Sequence, residues 1–393
     1  MTPHVQPSRV EIISLSSLRG IAAWWVVLYH GSDLPSYSFL QGSLHGWLPR
    51  GYLAVDLFFV LSGFIIARSY GHQFQRFSFR SYVGFLWLRL ARIYPLHLFM
   101  MVAYLSIPVA ILTLSSQGDI SGRFGATYYL FSLLLVQNWG FLPGLDWNVP
   151  AWSISTEWMA YILFPVLLAA AGLAARVRLL GALLVGVLAA VAAVFAWVGE
   201  LGWDIEHFGV VRCVLEFWAG LCLCRLTPAD PSRPLRWGAL LAFVALCLAH
   251  TGLGAPDYLV MPAAFVCVVF ALCRDDGPLH AVLANPVLHW LGTISYSTYL
   301  VHYFVREWVK FGLVRDGIPP SLSLLIYVAA TLAGSAVLYR WIELPGRTAM
   351  RSLIAARAPE GTPEADPAAP RGATGRAPGH PTRGRRSGEP GHA

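Results

Sequence analysis

The chain has 393 residues, of which 56% are apolar and only 12% carry a charge. Soluble proteins carry about twice that share of charged residues, so the composition excludes an ordinary soluble domain and indicates a chain in a lipid bilayer. The formal net charge is +7. No basic run lies on a predicted folded surface, so we expect no nucleic acid among the partners.

Apolar segments follow one another along the chain, and a spanning helix needs about 20 such residues. They lie near 15–34, 51–70, 93–114, 127–142, 152–173, 177–198, 207–226, 236–252, 257–273, 290–309 and 321–341. These eleven segments predict an all-α fold, a polytopic helical bundle in the membrane.

Basic residues between the segments predict the orientation, because short cytoplasmic loops carry an excess of Lys and Arg. The loop after the second segment contains Arg68, Arg76, Arg80, Arg89 and Arg92. If this loop is cytoplasmic, a topology with ten membrane crossings places the later basic loops in the cytoplasm as well. A topology with eleven crossings places those loops outside. We therefore expect about ten transmembrane helices with both termini cytoplasmic, and we assign 127–142 as a re-entrant segment.

The domain organisation follows from the same pattern. Residues 1–14 are expected to be a cytoplasmic N-terminal segment, 15–350 the membrane domain and 351–393 a disordered cytoplasmic tail rich in Pro, Gly, Ala and Arg. The first apolar segment contains Arg19 and lacks a cleavage site, so we expect it to stay in the mature protein. The chain is expected in the cytoplasmic membrane.

Small residues within the segments are assigned to packing. Ser62-Gly63 is flanked by aromatic residues and permits close approach of another helix, or of a thin ligand; packing is the favoured interpretation. The six cysteines lie in or beside apolar stretches without the spacing of zinc ligands. We expect them to be small buried side chains and predict no metal site.

Ionisable side chains inside the segments are the informative exceptions, because each costs about 2.5–3.5 kcal/mol at the bilayer centre on insertion scales. Arg19 and His30 are eleven residues apart, which places them on one helix face and roughly 16 Å apart along the axis. Arg19 is expected near the cytoplasmic end and His30 in the outer half. A helix–helix hydrogen bond is the alternative role for His30.

Two carboxylates are expected at the depth of His30. Asp56 and Glu157 both lie about one turn into segments predicted to start outside. A carboxylate beside an imidazole fixes its tautomer and stabilises the imidazolium of a general base. Asp56 could instead be solvated at the interface, and Glu157 could stabilise its own helix N-terminus.

Two further groups of polar residues suit ligand binding. Arg89 and Arg92 share one helix face and could hold phosphates, with positive-inside anchoring as the alternative. Residues 295–302 carry hydroxyl groups and a histidine, among them Ser297, Tyr299 and His302. Such a stripe should face protein or a cavity rather than lipid.

Together these residues resemble the acyltransferase 3 family, membrane-bound enzymes that O-acylate sugars and related hydroxyl compounds. The matching pieces are LRG at 18–20 with His30, VDLFFVLSGF at 55–64, RLARIYP at 89–95, WSISTE at 152–157, SYSTYLVH at 295–302 and ELP at 343–345. All six occur in the family's order and cover about 15–350. Ala54 and the pair Trp158-Met159 depart from the usual residues, which affects the expected acceptor pocket.

The resemblance implies an acyl-CoA donor, commonly acetyl-CoA, delivered from the cytoplasm. It implies that Arg19 and His30 are essential and that Arg89 and Arg92 are important. Some family members carry an additional extracytoplasmic hydrolase-like domain. This chain would act alone or with a separate extracytoplasmic partner.

On these grounds we expect an O-acyltransferase that uses His30 as general base, oriented by Asp56 or Glu157. An acyl-histidine intermediate stays open. Donor phosphates would bind Arg19, Arg89 and Arg92, and the acceptor or the oxyanion would bind Ser297, Tyr299 and His302. The expected acceptor is a sugar or glycan hydroxyl; a small secondary metabolite such as a macrolide is the alternative. In another class, a transporter or flippase would also need polar groups inside its spans.

Overall fold

The computed structural model describes residues 11–34, 46–114, 122–174, 176–314 and 319–355. Within these ranges the regular secondary structure is entirely helical, which confirms the predicted all-α class. The helices are α1 Ile13–His30, α2 Ala54–Tyr70, α3 Phe79–Tyr104, α4 Ser106–Leu114, α5 Ala126–Leu133, α6 Trp152–Leu173, α7 Val177–Val198, α8 Ile205–Leu226, α9 Arg233–Leu253, α10 Asp257–Ala271, α11 Gly277–Leu283, α12 Pro286–Thr293, α13 Ser295–Val309, α14 Pro320–Leu338 and α15 Leu344–Ala355. A π-turn, Tyr339–Glu343, joins the last two.

Long apolar helices dominate the bundle. Seven stretches of the described chain are long and apolar enough to cross a membrane: Leu48–Phe74, Phe79–Leu114, Val149–Leu173, Val177–Val198, Ile205–Leu226, Arg233–Leu253 and Ser321–Leu353. Many of their outward side chains are large and apolar, such as Val185 at 66% exposure on α7. These faces suit lipid and confirm the polytopic membrane bundle. The number of crossings stays a prediction.

The segment expected to be re-entrant contains only a short helix. The eight residues of α5 span roughly 12 Å, too little for a hydrocarbon core of about 30 Å. The irregular chain after α5 buries Gln137 and Asn138, whose amide groups donate to the carbonyls of Ala151 at 3.1 Å and Ile205 at 3.0 Å. These bonds satisfy side-chain N–H groups that could not face lipid.

Helices α2 and α8 cross in backbone contact. A Cβ atom on Gly63 would lie 1.9 Å from the carbonyl oxygen of Phe217, and one on Gly220 would lie 2.0 Å from that of Val60. Only glycine fits at either position, because the distances are far below any van der Waals contact. This supports the packing interpretation of Ser62-Gly63.

The N-terminal helix is fixed against α12 and the chain before α11. A Cβ on Gly292 would lie 2.0 Å from the carbonyl of Ser16, so α1 and α12 also touch through their backbones. The Asp275 carboxylate accepts from the backbone amides of Ile13 at 2.7 Å and Ser14 at 3.0 Å, which satisfies two free amides of the helix start. These bonds set the position of every side chain on α1.

The last described helix runs past the predicted boundary at residue 351. Helix α15 continues to Ala355, so the first five residues of the segment 351–393, expected to be a disordered tail, are helical. The rest of that segment and most of the expected N-terminal segment 1–14 lie outside the described residues. All six cysteines are free and lie buried or half-buried, as expected for packing residues.

We predict that Gly220→Ala lowers the free energy of unfolding by about 1–3 kcal/mol, because the added methyl group forces α2 and α8 apart. The control is Gly238→Ala on α9, where nothing lies within 4 Å of an added Cβ. That change should be neutral or stabilise by up to about 1 kcal/mol through helix propensity. Thermal unfolding of both purified variants in detergent tests this, and equal shifts would contradict the packing argument.

Candidate functional site

Four arginines, from α1, α3 and α15, lie close enough for their charges to interact. The charges of Arg19, Arg89 and Arg347 all act on Arg92. The structure therefore brings together the three arginines expected to bind the donor and adds a fourth, Arg347, that the sequence analysis did not single out. We call Arg19, Arg89, Arg92 and Arg347 the arginine cluster.

A buried carboxylate holds Arg92 in place. Glu343, 1% exposed in the π-turn, binds the Arg92 guanidinium and accepts a 2.6 Å hydrogen bond from the Ser297 hydroxyl. The Tyr296 ring lies 5.3 Å from the Arg92 guanidinium carbon. The Ser297 hydroxyl thus orients Glu343, and its expected contact with the acceptor stays a prediction.

Aromatic and hydroxyl groups position the other arginines. Arg89 donates to the Tyr70 hydroxyl at 2.6 Å and lies 4.7 Å from the centre of that ring. Arg19 donates to the Ser16 hydroxyl at 3.2 Å. Arginine binds phosphate oxygens in a bidentate manner. The cluster therefore suits a phosphate-bearing ligand.

Glu157 does not lie against His30. Its carboxylate accepts hydrogen bonds from Ser62 and from Tyr161, the latter at 2.5 Å. The Tyr161 ring packs on Phe85, which precedes Arg89 by one turn of α3. Glu157 therefore lies on the side of the arginine cluster rather than against His30, where it was expected.

His30 instead contacts a second imidazole. Its Nδ1 lies 3.1 Å from Nε2 of His302 and 3.2 Å from the carbonyl oxygen of Val26. The Nδ1 of His302 lies 3.2 Å from the Thr298 carbonyl oxygen. His302 is fully buried, whereas His30 is only half-buried. One ring edge of the His30–His302 pair can therefore face a substrate.

Asp56 binds a buried arginine. Its carboxylate accepts two hydrogen bonds of 2.6 Å from Arg212 of α8, and both side chains are at most 1% exposed. The expectation that Asp56 orients His30 is therefore not met, because the carboxylate pairs with the nearest buried cation. Arg212 and Glu216, inside the apolar segment 207–226, were missed, although an ionisable residue within a span is itself a signal.

The hydroxyl of Tyr299 also has a role within the protein. It donates to the Pro150 carbonyl at 3.0 Å and lies 2.8 Å from the Ser153 hydroxyl. These bonds attach α13 to the start of α6. Tyr299 thus holds the two helices together, and its expected contact with the acceptor stays a prediction.

The chain is similar to known acyltransferases over most of its length. Residues 12–340 match the model of the acyltransferase 3 family, described as an acyltransferase domain. A candidate O-acetyltransferase of Staphylococcus aureus (strain COL) is 26% identical over 86% of this chain and 57% of its own length. This chain thus spans less than two thirds of the staphylococcal protein.

The chain matches a larger share of the length of two other relatives. The candidate membrane-bound transacylase BcsY of Komagataeibacter xylinus is 27% identical over 81% of this chain and 80% of its own length. The acyltransferase MdmB of Streptomyces mycarofaciens is 29% identical over 78% of this chain and 81% of its own length. No solved structure matches the chain. With its helical membrane fold and the match over residues 12–340, the chain belongs to the acyltransferase 3 family of membrane acyltransferases.

Proposed function

We propose that this protein transfers an acyl group, an acetyl group in the first instance, from acyl-CoA to a hydroxyl group of a sugar or glycan. The observation that carries the proposal is that Arg19 and His30 lie on the same face of α1. Arg19 lies beside the other arginines of the cluster, and His30 lies at the C-terminal end of the helix. The axial distance between them is roughly 16 Å. The pantetheine arm of CoA is of comparable length.

The donor would bind with its phosphates on the arginine cluster. Arg92, oriented by Glu343, and Arg89, oriented by Tyr70, present guanidinium groups from one face of α3. Arg347 lies in the same group of charges and adds a further ligand. If this end is cytoplasmic, as the basic loops predict, the donor enters from the cytoplasm and the thioester reaches toward His30.

The thioester is already activated, so the protein must deprotonate the acceptor and stabilise the oxyanion. His30 would take the proton of the acceptor hydroxyl, whose oxygen attacks the thioester carbonyl. Collapse of the tetrahedral intermediate breaks the carbon–sulfur bond and expels the CoA thiolate. The thiolate takes the proton back from His30, and the products are an ester and free CoA. An acyl-histidine intermediate remains an alternative route.

The choice of acceptor rests on the relatives and on the resemblance. The staphylococcal relative is named as an O-acetyltransferase, which supports acetyl transfer to oxygen. A small secondary metabolite is the second acceptor class. A separate extracytoplasmic partner would be needed only if transfer stopped at an intermediate carrier.

A transporter or flippase would move its substrate without breaking the thioester. Transfer of radiolabelled acetyl from acetyl-CoA to an acceptor by purified protein in detergent, where no compartments exist, separates the two functions. We expect labelled product. Transport activity in vesicles without any labelled product would contradict the enzyme proposal.

We predict that His30→Ala lowers kcat for acyl transfer by about 10²–10⁴-fold, the usual contribution of a general base. The control is His72→Ala, which removes an exposed histidine from the turn after α2. Its kcat should equal that of the wild type. Near-native turnover of the His30→Ala enzyme would contradict the base assignment.

We predict that Arg92→Ala raises the KM for acyl-CoA by about tenfold or more and leaves the KM for the acceptor unchanged, because a charge-assisted hydrogen bond contributes about 1.5–3 kcal/mol. Arg347→Ala should act in the same direction. The control is Arg340→Ala, an exposed arginine in the same π-turn. Unfolding temperatures identify any variant weakened by the unpaired Glu343. An unchanged donor KM in both Arg92→Ala and Arg347→Ala would contradict the phosphate site.

A further inference from the structure

The hydrogen bonds of the two imidazoles determine where their protons lie. A carbonyl oxygen only accepts, so Nδ1 of His302, 3.2 Å from the Thr298 oxygen, carries a hydrogen. A neutral imidazole has one N–H, so Nε2 of His302 holds a lone pair. It therefore accepts from Nδ1–H of His30 at 3.1 Å.

The same reasoning assigns His30. Its Nδ1–H is directed at two acceptors, Nε2 of His302 and the Val26 carbonyl at 3.2 Å. Its Nε2 is therefore the unprotonated nitrogen, which is the one that a general base needs. Because His30 is half-buried while His302 is fully buried, this nitrogen belongs to the ring that can meet substrate.

We propose that His302 is a positioning residue, which holds His30 in the tautomer with a free Nε2 and accepts a hydrogen bond from the imidazolium that forms during transfer. This rests on the proposed role of His30 as base. In this arrangement the neutral imidazole of His302 takes the place of the carboxylate in an aspartate–histidine pair. Both carboxylates expected for that role are bound to other groups, Asp56 to Arg212 and Glu157 to Ser62 and Tyr161.

A charged side chain lies next to the imidazole pair. Arg306 lies one turn beyond His302 on α13 and acts electrostatically on both imidazoles. It is held by Glu307 at 2.8 Å and lies 4.7 Å from the centre of the Tyr303 ring. Because the charge of Arg306 acts on both rings and is paired with Glu307, it does not distinguish the two imidazoles, and the hydrogen bonds alone carry the tautomer assignment.

A merely structural His302 would also join α1 to α13, and the two roles make different predictions. A structural contact contributes to the stability of the fold, and its loss need not alter turnover in the molecules that remain folded. A positioning residue acts on the reacting nitrogen of His30. Its loss lowers kcat while both KM values stay the same.

The test compares His302→Phe with His302→Gln in detergent. Phenylalanine fills the space without an acceptor, and we expect it to lower kcat by about 10–100-fold, because a hydrogen bond to a charged group is lost. The amide oxygen of glutamine can accept the same bond, so we expect His302→Gln to recover most of that loss. Donor and acceptor KM values should stay within about twofold, as expected for an interaction made in the transition state.

The matched control is His97→Phe on α3. His97 is also fully buried and contacts a backbone carbonyl, that of Ser132, at 2.8 Å. We expect this change to lower the unfolding temperature without lowering kcat. The rise in unfolding temperature on adding CoA checks that every variant still folds and binds the donor.

The outcomes separate the two proposals. Unchanged kcat in His302→Phe, an equal loss in the Phe and Gln variants, or an effect confined to KM would overturn the positioning role. If His30→Ala is inactive in those cases, the base assignment survives. If His30→Ala keeps near-native turnover, the base assignment fails and the positioning role of His302 fails with it, whereas only the absence of labelled product from acetyl-CoA would overturn acyl transfer itself.

Discussion

A buried side chain stays charged only with a partner, because moving an unpaired ion out of water costs several kcal/mol even after the surroundings relax. Two ion pairs meet this requirement at different levels of the bundle. Asp56 and Arg212 join α2 to α8 where the glycine crossing brings these helices together. Arg92 and Glu343 join α3 to the π-turn before α15.

The pairing of buried charges also determines which side chains remain for the proposed proton transfer. Carboxylates that could have served as partners of a general base are bound to Arg212 or to hydroxyl groups. The imidazoles of His30 and His302 remain paired with each other, and a neutral pair avoids the cost of burying a further charge. The proposed proton transfer would thereby be separated from the ion pairs that hold the helices together.

Backbone geometry places the functional side chains. Helix α1 carries both Arg19 and His30, and its contact with α12 through Gly292 sets its depth and rotation. The π-turn changes the helical register between α14 and α15, so that Glu343 is almost fully buried beside Arg92. Such turns are frequent at functional sites, because they redirect one side chain without ending the helix.

The sequence by itself determined the features that depend on composition and local spacing. Long apolar stretches indicate a helical membrane bundle because lipid leaves the backbone few other ways to satisfy its polar groups. The shared face of Arg19 and His30 follows from the helical repeat. Arg19, Arg89 and Arg92, which were expected to bind the same ligand, do lie near one another. The expected number of membrane crossings remains a prediction.

Only the tertiary structure decided which partner each buried polar group has. Asp56 and Arg212 are 156 residues apart, and His30 and His302 are 272 apart. A periodicity within one helix carries no information about the neighbour that packs against it. The partners of Asp56 and Glu157 therefore differ from the expected His30, whereas acceptor binding by Ser297 and Tyr299 stays a prediction. Pairing depends on the rotation and depth of each helix, which are set by backbone contacts between residues distant in sequence.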